Sequence, residues 1–71
     1  MNEFLEKMAV ILDVDTSEIN LSTKFRDING WGSMVGFSML IMMEEDYGVK
    51  ISVDEFLKLN TLGEIYAKIN Q

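Results

Sequence analysis

Ser33 is the polar side chain of this sequence best placed for chemistry. It lies between a small corner, Gly30-Trp31-Gly32, and an apolar run from Met34 to Met43 that ends in Glu44-Glu45-Asp46. A serine hydroxyl becomes a nucleophile only when a base takes its proton, and near neutral pH that base is usually histidine. The chain has no histidine and no cysteine, and no Gly-x-Ser-x-Gly elbow surrounds Ser33. Chemistry at Ser33 is therefore expected to be done to it by another protein. Two readings of the residue are open. In the plainer one it caps a helix, its oxygen accepting a backbone N–H two or three residues on. In the other it is covalently modified: a phosphodiester there would sit beside unpaired N–H groups and the positive end of a helix dipole, both of which favour an anion. The flanking glycines would leave the hydroxyl open to another enzyme.

No metal chemistry is legible. Without cysteine there are no disulfides and no zinc–thiolate sites. Asp13, Asp15 and Ser17 alternate as in a calcium loop, but the sixth position is Glu18 where glycine is needed. The twelfth is Lys24 where a bidentate glutamate belongs.

The elements that must position Ser33 follow from periodicity and caps. Phe4, Leu5, Met8, Ile11 and Leu12 recur at helical spacing, which predicts a first helix over residues 3 to 13. From Asp13 to Gly32 the pattern gives way to turn-forming residues, yet this long connection carries Val14, Ile19, Leu21, Phe25, Ile28 and Trp31. It is expected to be pinned across the core, with short helical turns of its own. A second helix should run from Ser33 to Tyr47 and stop at Gly48, a residue suited to a left-handed C-terminal position. Ser52-Val53-Asp54-Glu55 and Thr61-Leu62-Gly63-Glu64 each match the capping box. They predict a short helix near 53 to 59 and a last helix near 62 to 70. The fold class is all-α: a small bundle of four unequal helices with a long first loop.

Composition agrees. At 71 residues, 48% hydrophobic and 25% charged, residues 1–71 read as one compact domain. The net charge of −6 disfavours nucleic acid, which is bound by clustered Lys and Arg. The same charge would steer the domain toward basic protein surfaces. The longest unbroken apolar stretch, Met39 to Met43, is far too short for a bilayer, and residues 1 to 4 carry no basic segment leading into an apolar one. A cytoplasmic monomer, not associated with membranes, is expected.

At about 100° per residue the second helix has two apolar sides. Gly36, Met39, Leu40, Met43 and Tyr47 share one; Met34, Phe37 and Ile41 share the other, flanked by Glu44 and Glu45. Either the bundle covers both sides, or the second is an exposed strip edged with negative charge, suited to transient docking on a basic, partly apolar partner. Three other helices, two of them short, are too little material to cover the whole circumference.

Taken in order, Trp31-Gly32-Ser33-Met34, the apolar helix, Met43-Glu44-Glu45-Asp46-Tyr47-Gly48-Val49-Lys50-Ile51 and Asn60-Thr61-Leu62-Gly63-Glu64-Ile65 resemble the acyl carrier protein family over essentially the whole chain. The resemblance, to the discrete, stand-alone type, implies that Ser33 receives a 4′-phosphopantetheine arm from coenzyme A through a separate phosphopantetheinyl transferase. The arm's thiol then holds acyl or aminoacyl groups as thioesters for fatty-acid, polyketide or related specialised biosynthesis, and the carrier itself catalyses nothing. It further implies that Met34, Phe37, Ile41, Glu44 and Glu45 dock acyl transferases, synthases or ligases through basic patches. Leu40, Met43, Ile51, Phe56, Leu59 and Ile65 would line the acyl-chain pocket. Two features depart from the family. Its Asp-Ser-Leu triplet stands here as Gly32-Ser33-Met34, which removes an acid tied to transferase recognition, and Val35 and Ser38 replace frequent acids. The alternative is a carrier-shaped interaction module that is never modified.

Overall fold

The computed structural model describes residues 2–70. Four α-helices follow in order: α1 (Asn2–Leu12), α2 (Ser33–Tyr47), α3 (Val53–Leu57) and α4 (Leu62–Ile69). The expected helices are all present, within two residues at each end. The 20-residue connection between α1 and α2 contains two single 3₁₀ turns, Thr16–Glu18 and Phe25–Asp27. It is not a free linker. Ile19 and Phe25 are buried in the core, and Val14, Leu21, Ile28 and Trp31 pack against it. Phe4 and Met8 of α1, Met39 and Met43 of α2, and Leu62 and Ile65 of α4 close the interior.

Helix ends are set by backbone chemistry. α1 stops because Asp13 turns left-handed (φ 58°), so that Val14 N–H returns to Ala9 O at 3.0 Å. α2 stops at Gly48 (φ 69°), whose N–H reaches Glu44 O at 3.0 Å while that of Val49 reaches Met43 O at 3.0 Å. The two capping boxes differ. At α4, Thr61 Oγ1 accepts from Glu64 N–H, and the Glu64 carboxylate accepts from Asn60 and Thr61 N–H at 2.6 and 2.9 Å. At α3, Ser52 Oγ accepts from Glu55 N–H at 3.1 Å, but the expected return bond from Glu55 is missing. Its carboxylate instead takes Lys68 Nζ of α4 at 2.6 Å.

The loop is stapled to the start of α4. Thr23 O and Leu21 O accept the N–H groups of Leu62 and Gly63 at 3.0 and 2.8 Å. A Cβ at Gly63 would lie 2.8 Å from Leu21 O, so the close approach requires glycine.

Candidate functional site

The capping reading of Ser33 is corrected by the backbone. The N-cap of α2 is Gly32, extended at φ −166° and ψ 174°, and Ser33 is the first helical residue. A hydroxyl one position inside the helix cannot reach the N–H groups that an N-cap oxygen serves. Among the described residues it has no hydrogen-bond partner. Ser33 is exposed. The first α2 amide to be satisfied is that of Gly36, on Gly32 O at 3.2 Å. The preceding N–H groups of Ser33, Met34 and Val35 thus stay open at the positive end of a 15-residue helix with no acid in its first turn. A phosphate ester on Ser33 would find donors and no acid in the first turn of α2.

Beside Ser33 lies a cleft of about 240 Å³. One wall is α2, through Ser33, Gly36, Phe37 and Leu40; the other is α3, through Val53, Phe56 and Leu57; Arg26 and Trp31 of the loop close it. Gly36 lets the Phe56 and Trp31 rings pack close against α2. A Cβ there would stand 3.5 Å from both the Phe56 and Trp31 rings, so even one carbon would begin to fill the gap. Phe25 lies beneath, its ring 5.4 Å from Trp31 and 5.6 Å from Phe56 between centroids. Arg26 fastens this wall. Its guanidinium donates to Leu59 O at 2.6 Å and Phe56 O at 3.0 Å, and sits over the Phe25 and Phe56 rings at 4.8 and 5.6 Å.

The outer strip of α2 is uncovered: Met34 is 82% exposed, Phe37 58% and Ile41 54%. Gly36, Met39, Met42 and Met43 are buried on the opposite side, with Leu40 and Tyr47 partly buried. The exposed strip divides between two grooves. Phe37 belongs to the cleft beside Ser33, whereas Ile41 lines a separate groove against α1 with Val10, Ile11, Ser38, Met42 and Glu45.

Electrostatics at the far end of α2 are lopsided. Glu44, Glu45 and Asp46 oppose the helix dipole there, where cations are favoured. Lys7 offsets Asp46 alone, at 3.1 Å, while also reaching Glu3 at 3.5 Å and lying 5.0 Å from the Tyr47 ring centroid. The Asp46 carboxylate holds the Lys7 ammonium above its ordinary pKa. Burial does the same to the Tyr47 phenol. Among the described residues, Glu44 and Glu45 have no cation within salt-bridge distance, and both are exposed.

Of the six residues expected to line a pocket, Leu40 and Phe56 face the cleft. Met43, Leu59 and Ile65 are buried in the core, and Ile51 is packed against it. Sequence reasoning did not single out Arg26, Val53 or Leu57. The first pairs with carbonyls 30 and 33 residues away, a relation no local pattern encodes. The other two had a faint signal: four residues apart, they flank the buried Phe56 on a helix only five residues long.

Comparison with known families agrees with this geometry. Residues 2–69 match the phosphopantetheine attachment site, the PP-binding family. Domains of this family are non-catalytic carriers of 4′-phosphopantetheine, served by phosphopantetheinyl transferases and working with synthase-type enzymes. Matched over nearly its whole length, this four-helix chain belongs to the phosphopantetheine-attachment family of carrier domains.

Proposed function

We propose that this chain is a stand-alone, monomeric acyl carrier domain spanning residues 1–71, and that Ser33 is its attachment point. The observation that carries the reading is the state of Ser33: exposed, unbonded and followed by open amides at the start of α2. In the loading step Ser33 Oγ forms a bond to the pantetheine-side phosphorus of coenzyme A. The bond from that phosphorus to the departing 3′,5′-ADP breaks, and the hydroxyl proton goes to the transferase's base. Once bound, the arm supplies a thiol that holds an acyl or aminoacyl group as a thioester. The chain's own residues position and present it. Met34, Phe37 and Ile41 offer apolar contact, and Glu44 and Glu45 offer carboxylates that a partner's Lys or Arg would neutralise. The pathway class is fatty-acid, polyketide or related specialised biosynthesis, in the cytoplasm. Among the described residues no helix is long and apolar enough to cross a membrane.

Intact mass after incubation with coenzyme A and a broad-range phosphopantetheinyl transferase tests the assignment. Wild type should gain one phosphopantetheine and Ser33→Ala none. An unmodified wild type, or a gain that survives Ser33→Ala, would overturn it and favour an unmodified docking module. Gly32→Asp should load faster. Gly32 has an unstrained extended backbone and nothing within 4 Å of an added Cβ, so the acid can be introduced without repacking.

A further inference from the structure

Val10 of α1 is 81% exposed, although a β-branched side chain serves an exposed helix position less well than a straight-chain polar one. It forms a ridge between two hollows. On one side Val10 and Ile11 share a groove of about 380 Å³ with Ile41 and Met42 of α2. On the other lie Glu6, Asp13, Asp15 and Glu18. With Glu45 and Asp46 in the first groove, six of the chain's twelve acids line these two hollows. Of its six cations only Lys7 does, and Lys7 is taken up by Asp46 and Glu3. Among the described residues the other five acids have no cation within salt-bridge distance. An apolar ridge set in unneutralised negative charge fits a partner that brings both apolar side chains and cations.

The shape and charge of this face select its occupant. A second copy would set these acids against their own counterparts, in a chain of net charge −6. An anionic lipid surface would be repelled. A strand would need a sheet edge to join, and among the described residues there is only an isolated bridge, Lys24 to Thr61. A helix needs only a groove for its apolar stripe. We infer that the face centred on Val10 and Ile41 docks a basic amphipathic helix of a partner protein. The helix lays its apolar stripe on Val10 and Ile41, and its Lys or Arg side chains meet Glu6 and Asp13 on one flank and Glu45 on the other. This surface shares no lining residue with the cleft beside Ser33. A partner held here therefore leaves Ser33 open to another enzyme, and the inference goes beyond the proposed function: it holds whether or not Ser33 carries an arm.

The test uses the unmodified full chain and, as probe, a synthetic leucine–lysine peptide with leucines at i, i+3, i+4 and i+7, about 18 residues long so that it holds its helix in water. Titrated into isotopically labelled protein, the peptide should give saturable amide shifts centred on Glu6, Val10 and Asp13 of α1 and on Ile41 and Glu45 of α2. Met34, Val53 and Leu57 should stay unmoved. Val10→Ser, at a site too exposed to disturb the core, should weaken binding about tenfold, the loss expected for one buried valine. A scrambled peptide of the same composition, which keeps the charge and loses the stripe, should bind more weakly by a similar factor. Glu6→Gln with Glu45→Gln should weaken binding at low salt and flatten its salt dependence. A footprint on Met34, Val53 and Leu57 instead, no saturable shift, or equal binding by the scrambled peptide or by Val10→Ser would overturn the inference. So would sedimentation showing that the chain covers this face by pairing with itself.

Discussion

The starts of α3 and α4 carry the same signature, Ser52-x-x-Glu55 and Thr61-x-x-Glu64, and meet different fates. At α4 the box closes on itself, and loop carbonyls take two further amides, so the helix start is satisfied locally. At α3 only the serine half forms, because Lys68 captures Glu55. α3 is five residues long, far below the length at which a helix holds itself together. It is retained by Phe56 in the core, by Arg26 on the carbonyls of Phe56 and of Leu59 just past its end, and by Lys68 on its acid. A local motif thus secures one helix, and distant contacts secure the other. The helix held from a distance is the one that walls the cleft.

The largest break in this contrast should come from Arg26→Met. Two carbonyls would lose a charged donor, at a cost of about 2–3 kcal/mol. Hydrogen exchange should show the loss concentrated in α3, with α4 amides protected as before; uniform loss would mean that the two helices are not separately held. Next is Gly63→Ala, which drives a carbon against Leu21 O. It should cost about 2 kcal/mol in denaturant melts and disturb the start of α4 while sparing α3. Lys68→Met should cost under about 1 kcal/mol, in keeping with a partly exposed pair, and the difference from wild type should shrink as salt rises. It also frees Glu55, which can then complete its own box, and an Asp or Gln at position 55 would separate the two uses of that side chain. The smallest effect is a matter of pH. Amide donors from Asn60 and Thr61 hold the Glu64 carboxyl below its ordinary 4.5. Its stabilisation is therefore complete above that value and fades as pH falls through the depressed one. Thermal melts should place Glu64→Gln below wild type at pH 6 and level with it at the acid end.

Much of this was readable beforehand because caps and stops are local. Gly48, Thr61 and the apolar spacing of α2 fix boundaries without reference to the rest of the chain, and helical angle puts Met34, Phe37 and Ile41 on one side, though it left open whether the bundle covers that side. What was hidden depends on contacts distant in sequence. That Phe37 and Ile41 face different grooves depends on where α3 and α1 lie. That Glu55 abandons its box depends on Lys68, thirteen residues on. Arg26 reads as an ordinary loop cation until its carbonyl partners are placed, and Gly63 reads as a helix weakness until Leu21 arrives beside it. Ser33 was legible as a candidate and as the first helical residue; that Gly32 serves as the cap and leaves the Ser33 oxygen without a partner was not.

Gly32 has a consequence of a different sort. Its backbone asks nothing of glycine and its surroundings are empty, so the doorstep of Ser33 is chemically blank and architecturally idle. Under the proposed function, how readily Ser33 is loaded and how firmly the domain folds are separable at this position. Either can be tuned, by selection or at the bench, without disturbing the other.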